Sequence, residues 1–347
     1  MTQAAGIAVA GAGLIGRKHI SAIGQTEGAA RLTAIADPGD PARELAAELG
    51  VPWFADISSL LEKARPDGLV IATPNQSHVE NGLEAIAAGV PALIEKPVAI
   101  GSEEGERLVL AGEAAGVPLL AGHHRRYNPL IEKAKALVSE GRLGQVVSVS
   151  VMGWLFKPAD YFAPEWRRQP GAGPVYTNLI HDIDLMQHLC GPVERVSCFS
   201  SNRTRGHAVE DSAVISFAFA NGALGTANVS DTAVAPWSWE LTARENPVYP
   251  PTGEACYLIG GTHGSLELPS LKLWHQAGTR SWWEPIDASQ QAYSFEDPLV
   301  RQMRHFAGVI RGTEAPRVTA RDGLQALRVI EAILQSARDG VPVMVSG

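Results

Sequence analysis

Residues 7–16 read IAVAGAGLIG, a short apolar strand that runs into a glycine-rich turn, and a helical pattern follows. In such a unit the first glycine permits a tight turn and the second lets the backbone approach a diphosphate. The third glycine lets the helix pack closely on the strand. The N–H groups at the helix start then bind the diphosphate. We therefore predict a dinucleotide site whose contacts in this turn are Gly11, Gly13, Leu14, Ile15 and Gly16.

The first third of the chain alternates short apolar runs with helical patterns. Predicted buried strands lie at residues 7–10, 32–36, 69–72, 92–94 and 119–121. Predicted helices lie between and after them at residues 14–25, 41–49, 56–63, 76–88 and 103–115. This alternation is typical of βαβ units, whose right-handed crossovers give a doubly wound parallel sheet. We expect a Rossmann dinucleotide-binding domain at residues 1–122.

A different pattern begins at about residue 123. Long β-like runs lie at residues 146–155, 193–200, 213–219 and 223–230, and Asn221-Gly222 between the last two is a strong hairpin signal. Predicted helices lie at residues 129–140, 178–189, 299–311 and 320–338. We expect a C-terminal α+β domain at residues 123–347 with a mostly antiparallel open sheet. Its final helices are free to pack back on the first domain.

Composition narrows the class of protein. A chain of 347 residues exceeds the usual size of one core, which favours two domains. Its net charge of -8 gives no support for nucleic-acid binding, and no apolar run approaches the roughly 20 residues that span a bilayer. The three cysteines lack metal-ligand spacing, so we expect neither a metal site nor a disulfide framework. Without an export signal at its start, the chain is expected to be cytoplasmic, with a small-molecule partner.

Asp37 ends the second predicted strand. A carboxylate at this position accepts hydrogen bonds from the adenosine ribose and repels a 2′-phosphate, so it favours NAD over NADP. Arg17 and Lys18 lie nearby in the sequence and keep NADP open. The alternative is that Asp37 only caps the following turn.

Two further loops follow strands of the predicted parallel sheet. Ligands of such sheets bind at the carboxyl ends of the strands. Residues 73–78 read TPNQSH and residues 91–97 read PALIEKP. A proline after Lys96 disfavours helical backbone at the lysine, so its ammonium extends from a stiff turn. The predicted cofactor contacts in these loops are Thr73, Pro74, Asn75, His78, Glu95 and Lys96.

The candidate chemistry combines Lys96 with His181. On one continuous helix Thr177 and His181 would be one turn apart on the same face, with Asn178 beside them. Oxidation of an alcohol needs a hydride acceptor and a base for the hydroxyl proton, and both histidine and a perturbed lysine act as such bases. Lys96 would polarise the hydroxyl while His181 carries the proton, or the reverse.

The chain resembles the Gfo/Idh/MocA oxidoreductases, a family that includes glucose–fructose oxidoreductase and inositol dehydrogenase. The resemblance spans the whole chain, and it is carried by residues 11–16, Asp37, residues 73–75, 95–97 and 124–129, and the helix at residues 178–184. It implies a C-terminal α/β domain whose open sheet often pairs subunits, here as a homodimer or homotetramer. It also implies a Lys–Pro turn that is commonly cis, and catalytic roles for Lys96 and His181.

One position departs from the family pattern. Inositol dehydrogenase-like members carry an aspartate one turn before the histidine, where this chain has Thr177. A threonine does not stabilise a protonated imidazole as a carboxylate does. Either Lys96 is the main base, or Asp182 or Asp184 takes the supporting role, or the redox chemistry is altered.

The leading hypothesis is an NAD(P)-dependent dehydrogenase that acts on a secondary alcohol of a sugar, cyclitol or related polyol. A cis-dihydrodiol dehydrogenase for a carboxylated aromatic is the first alternative. A non-catalytic NAD-sensing regulator is the second, although such a protein would lose Lys96 and His181. Aromatic rings and long donors suit a polyol. The predicted substrate contacts are Arg125, Tyr127, Trp154, Lys157, Tyr161, Thr177, Asn178 and His181.

Overall fold

A computed structural model describes residues 3–346 of the chain. By their internal contacts these residues form two compact units. The first unit takes the chain up to Asn128 and adds Glu296–Leu327, and the second unit takes Pro129–Phe295 and the chain from Arg328 onward. The boundary expected between residues 122 and 123 stays a prediction.

The first unit contains a six-stranded sheet in which every pairing is parallel. Its strands are β1 (Ala5–Ala10), β2 (Ala30–Ala36), β3 (Trp53–Phe54), β4 (Gly68–Ile71), β5 (Ala92–Ile94) and β6 (Leu119–Ala121). They lie in the order β3-β2-β1-β4-β5-β6. Strands β2 and β3 are therefore added on one side of β1, and β4, β5 and β6 on the other. Strands β1, β4, β5 and β6 are buried along their whole length, which explains their continuous apolar sequences.

Helices connect these strands. They are α1 (Leu14–Gly24), α2 (Asp40–Leu49), α3 (Ile57–Ala64), α4 (His78–Ala87) and α5 (Ser102–Ala115). A later helix, α10 (Pro298–Ile310), returns to this unit and buries Met303, Phe306 and Ala307 in one core with β1 and α1. The predicted doubly wound Rossmann arrangement is confirmed.

The second unit is built on a nine-stranded sheet. Its strands are β7 (Val146–Trp154), β8 (Val193–Ser201), β9 (Ser212–Phe219), β10 (Leu224–Ser230), β11 (Tyr257–Gly261), β12 (Gly264–Leu268), β13 (Lys272–His275), β14 (Asp287–Gln290) and β15 (Val343–Met344). Their order is β14-β13-β12-β11-β7-β10-β9-β8-β15. Only β7 and β10 pair in parallel, so the prediction of a mostly antiparallel sheet is confirmed.

The remaining helices all begin after Asn128. They are α6 (Pro129–Ser139), α7 (Pro174–Thr177), α8 (Leu179–Cys190), α9 (Trp239–Thr242) and α11 (Ala320–Asp339), the last of which begins in the first unit and ends in the second. The hairpin predicted at Asn221-Gly222 joins β9 to β10, with Gly222 at a φ of 87°. Within residues 3–346, no helix combines the length and apolar character that crossing a membrane requires.

Candidate functional site

The glycine turn after β1 is closed to side chains at two positions. Gly11 has a φ of +88°, and a Cβ on it would lie 2.3 Å from the carbonyl oxygen of Ala72. A Cβ on Gly16 would lie 1.9 Å from the carbonyl oxygen of Gly11. Gly13 differs, because none of the described atoms comes within 4 Å of its Cβ position. The turn therefore has no space for side chains at Gly11 and Gly16, but it has open space beside Gly13. A diphosphate could approach the backbone there.

Asp37 holds this turn in place. Its Oδ2 accepts the Ala12 N–H at 2.8 Å, and its Oδ1 accepts the Gly39 N–H at 2.8 Å. Arg17 also stabilises the turn, because its Nε donates a hydrogen bond to the Ala12 carbonyl at 3.1 Å. The two roles considered for Asp37 are thus compatible, because the carboxylate caps its own turn and borders the predicted ribose site.

A cleft of about 370 Å³ opens beside Asp37. It brings together four predicted cofactor contacts, namely Gly11, Asp37, Thr73 and Pro74. Other polar residues that line it were not among the predicted contacts, namely Asp56, Ser58, Ser77, Asn81 and Glu84, although Ser77 belongs to the loop at residues 73–78. Asn81 accepts a hydrogen bond from the Thr73 hydroxyl at 2.8 Å and so fixes that side chain.

The remaining residues of this loop differ in exposure. Asn75 is exposed in a short 3-10 turn, Asn75–Ser77. His78 is fully buried at the start of α4. Its Nδ1 lies 2.8 Å from the Pro97 carbonyl oxygen and its Nε2 lies 2.9 Å from the Thr73 carbonyl oxygen. His78 therefore links two loops, while its predicted cofactor contact stays a prediction.

The turn that carries Lys96 contains a cis peptide bond between Lys96 and Pro97, as the family resemblance implies. Glu95 before it is buried, and its Oε1 lies 2.7 Å from Nε2 of His19 on α1. Burial alone raises the pKa of Glu95, but the His19 hydrogen bond and the electrostatic interactions with His19, His124 and Lys96 outweigh it and lower that pKa to about 2. The turn thus holds a buried carboxylate next to Lys96.

Gly122 packs against the same turn. A Cβ on Gly122 would lie 2.9 Å from the Cα, Cδ and Oε1 atoms of Glu95. Its own N–H donates to the Ile94 carbonyl at 2.7 Å. A side chain at position 122 would therefore displace Glu95.

Two predicted substrate contacts, Arg125 and Tyr127, lie in a short 3-10 helix, His124–Tyr127, and both are buried. The Tyr127 hydroxyl is 3.2 Å from Nδ1 of His305 on α10, and the Arg317 guanidinium lies 5.0 Å from the Tyr127 ring centroid. Tyr127 is therefore integrated into the core of the first unit.

The predicted helix with Thr177 and His181 on one face is not continuous. Thr177 ends the short helix α7, Asn178 lies between the helices, and His181 lies in α8. At this break the Thr177 hydroxyl donates to the Gly173 carbonyl at 2.9 Å and lies 3.0 Å from Asn178 Oδ1. His181 is buried, with 8% of its surface exposed.

The two aspartates after His181 are also buried. One oxygen of Asp182 accepts the hydroxyl of Tyr257 on β11. Asp184 has no exposed surface. A supporting role of either carboxylate toward His181 stays a prediction.

A second group of predicted contacts follows the end of β7. Trp154 donates through Nε1 to Asn228 Oδ1 at 2.9 Å. The buried Lys157 places its Nζ 3.9 Å from Asp231 Oδ2 and 4.9 Å from the centroid of the Tyr161 ring. Burial lowers the pKa of Lys157, although Asp231 opposes this, and burial raises the pKa of Tyr161.

Two residues that contact these groups, His19 and Arg205, were not predicted from the sequence. His19 lies three residues after the last glycine of the turn, and only the fold shows that it contacts Glu95. Arg205 donates through Nε to Asp231 Oδ1 at 2.7 Å and so shares that carboxylate with Lys157. Among residues 3–346, no group of three or more His, Cys, Asp or Glu side chains is arranged to hold a metal ion.

The fold and the glycine turn define a dinucleotide-binding oxidoreductase. The NAD-binding Rossmann-fold domain of the Gfo/Idh/MocA oxidoreductase family matches residues 5–123, and the C-terminal α/β domain of that family matches residues 135–345. The chain therefore belongs to the Gfo/Idh/MocA oxidoreductases.

Similar proteins include enzymes of sugar and cyclitol metabolism. The rhizopine catabolism protein MocA of Rhizobium meliloti is 27% identical over 94% of this chain and 93% of its own length. The NAD⁺-dependent scyllo-inositol 2-dehydrogenase of Bacillus subtilis strain 168 is 25% identical over 97% of this chain and 95% of its own length. The WlbA dehydrogenase of Bordetella pertussis, solved with NADH and UDP-GlcNAcA, is 27% identical with a TM-score of 0.79, and each chain is covered completely.

Proposed function

We propose that this protein is an NAD-dependent dehydrogenase that transfers a hydride between nicotinamide and a secondary alcohol of a sugar, cyclitol or related polyol. Its membership of an oxidoreductase family and its similarity to an inositol dehydrogenase support the proposal. The observation that carries it is the turn at Lys96, where a buried carboxylate and a lysine follow β5 in the sheet that bears the glycine turn.

The residues of the first unit fit a bound dinucleotide. Gly11 and Gly16 close the turn to side chains, and Gly13 leaves space where a diphosphate would bind. The Asp37 carboxylate borders the cleft and favours NAD, because it would repel a 2′-phosphate. Arg17 donates to the backbone carbonyls of residues 12 and 41. When bound, NAD supplies the hydride acceptor.

The protein's own residues handle the proton. We assign the hydroxyl proton of the substrate mainly to Lys96, with His181 as its partner in proton transfer. Thr177 contributes no carboxylate to His181, and its hydroxyl is already bonded to Gly173. The substrate contacts remain as predicted, from Arg125, Tyr127, Trp154, Lys157, Tyr161, Thr177 and Asn178.

The test is hydride transfer by the purified protein with a panel of inositols and aldoses, followed by NADH absorbance with NAD and, separately, with NADP. On the best substrate we expect Lys96→Met to lower kcat by about 10²- to 10⁴-fold, as expected for loss of a general acid–base group. NAD binding, measured by fluorescence titration, should weaken far less than kcat falls, because the other predicted cofactor contacts remain.

Lys63→Met is the matched control, since Lys63 is an exposed lysine on α3 in the same unit. It should keep the wild-type kcat. Full turnover by Lys96→Met would contradict the catalytic assignment. Absence of NAD(P)-dependent turnover on every polyol of the panel would contradict the proposed function itself.

A carboxylated cyclic diol is the second candidate substrate, and Lys157 is the observation that favours it. No acceptor among residues 3–346 lies within hydrogen-bond distance of its buried Nζ. A substrate carboxylate would supply the hydrogen-bond acceptor that Asp231, at 3.9 Å, does not provide. The substrate panel should therefore include a cis-dihydrodiol of a phthalate-type acid, with turnover compared between wild type and Lys157→Met.

We also propose that the second unit pairs with another copy of the chain through its sheet. Buried and exposed residues alternate along β9 and most of β10, and Phe199 of β8 pairs directly with Val214 of β9, so these exposed side chains share one face. Several of them are apolar: Phe199 is 80% exposed, Val214 is 50% exposed and Leu224 is 62% exposed. Such an apolar face is typical of protein–protein contacts.

A further inference from the structure

Buried histidines flank Lys96 on both sides. His19 contacts the side chain of Glu95, the residue before Lys96, and His78 contacts the carbonyl of Pro97, the residue after it. Neither histidine has exposed surface. All of these residues belong to the first unit, and the two histidines come from different helices.

The first contact connects the glycine turn to Lys96. His19 lies on α1, the helix that begins directly after Gly13. Its Nε2 is 2.7 Å from Glu95 Oε1, and the other oxygen of Glu95 accepts the backbone N–H of Lys96 at 3.2 Å. Because the Glu95 side chain is packed against Gly122, it has little space in which to reorient. A displacement of α1 therefore acts on Lys96 through two hydrogen bonds.

The second contact connects the other nucleotide loop to the same turn. His78 begins α4, directly after the loop of Thr73 and Pro74 that lines the cleft beside Asp37. Its two ring nitrogens lie 2.8 Å from the Pro97 carbonyl oxygen and 2.9 Å from the Thr73 carbonyl oxygen. One side chain thus spans the loop and the turn.

We propose that His19 and His78 are positioning residues that hold the turn of Lys96, one from each nucleotide-binding loop. Hydride transfer requires the base to be held in a narrow range of positions, and a displacement of about 1 Å is enough to lower the rate strongly. Each histidine joins that turn to backbone that the dinucleotide would contact. This inference rests on the proposed function, since it assigns to Lys96 a part in proton transfer.

Amide side chains test the two contacts separately. Asparagine places its amide nitrogen near the position of histidine Nδ1, and glutamine places it near Nε2. His19→Gln therefore keeps a donor for Glu95, and His19→Asn removes it. At position 78 the order is reversed, because His78→Asn keeps the contact with Pro97 and His78→Gln keeps only the contact with Thr73.

The better of the two amide replacements, judged by kcat, should differ between the two positions. We expect kcat to be higher for Gln than for Asn at position 19, and higher for Asn than for Gln at position 78, each by about tenfold. If the histidines only fill space, the larger glutamine is the better replacement at both positions. The same order at both positions, or wild-type kcat in all four variants, would overturn the inference.

A second readout does not need turnover. Hydrogen exchange of peptides covering residues 94–98 reports on the order of the turn. Exchange should be about tenfold faster in His19→Asn and His78→Gln than in their matched variants. If these exchange differences appear while wild type oxidises no polyol, the proposed function fails and the structural coupling stands. Equal exchange within each pair overturns the coupling.

The exposed His263 in the second unit provides the control, because His263→Asn and His263→Gln should both match wild type. Near-ultraviolet circular dichroism checks that each variant is folded. If His19→Asn does not fold, the two variants at position 78 still test the inference. There the inference predicts a higher kcat for Asn than for Gln, and simple space filling predicts the opposite order.

Discussion

Thr177 occupies the position at which the family resemblance implies an aspartate. Thr177 donates to the Gly173 carbonyl at 2.9 Å, so an aspartate at position 177 would bring a carboxylate oxygen toward a carbonyl oxygen and remove the donor. We expect Thr177→Asp to lower the free energy of unfolding by about 1–3 kcal/mol without raising kcat. Urea unfolding and turnover on the best polyol measure the two quantities.

Thr177→Ser is the control for this substitution, because it keeps the hydroxyl and should stay close to wild type in both measurements. A Thr177→Asp variant with a higher kcat and unchanged stability would show that the backbone around Asn178 accepts the family arrangement.

The carboxylate of Glu95 makes stability depend on pH. Its pKa is lowered from 4.5 to about 2 in the folded protein. Its stabilising contribution is therefore complete above the unfolded pKa and is lost as the pH falls toward 2. We expect Glu95→Gln to be less stable than wild type at pH 7, and this difference should shrink by about 1 kcal/mol at pH 3.5.

Urea unfolding at the two pH values measures this difference. Glu104→Gln, at an exposed glutamate of the same unit, should match wild type at both. A Glu95→Gln penalty that is equal at pH 7 and pH 3.5 would contradict the assigned role of the carboxylate.

Some site residues could be predicted because their roles depend on local backbone geometry. Gly11 and Gly16 occupy positions that exclude a Cβ, and the Lys96-Pro97 turn follows a buried strand. His19 could not be predicted in this way, since its partner Glu95 is 76 residues away in sequence. Lone histidines in a helical pattern carry no sign of which distant side chain they contact.

Helix α11 begins with a reciprocal cap that fixes its first turn. The Thr319 N–H donates to Asp322 Oδ2 at 2.8 Å, and the Asp322 N–H donates to Thr319 Oγ1 at 3.1 Å. We expect Thr319→Ala to lower the free energy of unfolding by about 1 kcal/mol, and Thr319→Ser to have a much smaller effect. Equal urea midpoints for the alanine variant and wild type would contradict this role of the cap.

Long elements with clear periodicity were predicted within a few residues of their observed ends. The short strands β3 and β11 to β15 were not predicted, because they lack the continuous apolar runs that identified the equally short strands β4, β5 and β6. The short helix α7 and the break that follows it at Asn178 were also not predicted, because four residues carry too little periodicity to identify a helix.

The whole molecule is expected to associate through the open sheet of its second unit. Phe199 and Val214 are directly paired across β8 and β9, and both are exposed. Light scattering after gel filtration should show a dimer or tetramer for wild type and a smaller species for Phe199→Glu combined with Val214→Lys. Val248→Glu, at an exposed valine outside the sheet, should leave the mass unchanged. A monomeric wild-type protein would refute the association.

The division of the chain into units was only partly accessible from sequence. The change from alternating βα units to long β runs marks the transition near residue 123. The return of Glu296–Leu327 to the first unit depends on the packing of Met303 and Phe306 against β1 and α1. An amphipathic pattern shows that a helix has an apolar face, but not which core receives that face.

Asp37 both accepts the Ala12 N–H and borders the proposed ribose site, and this has a consequence for protein engineering. If the protein uses NAD, as we propose, a designer who wishes to convert it to NADP would first remove this carboxylate. That substitution would also release the Ala12 N–H, which Asp37 holds at 2.8 Å. The proposed preference for NAD and the order of the glycine turn would thus depend on the same side chain. A successful conversion therefore has to replace the acceptor for Ala12 at the same time as it introduces a positive charge for the 2′-phosphate.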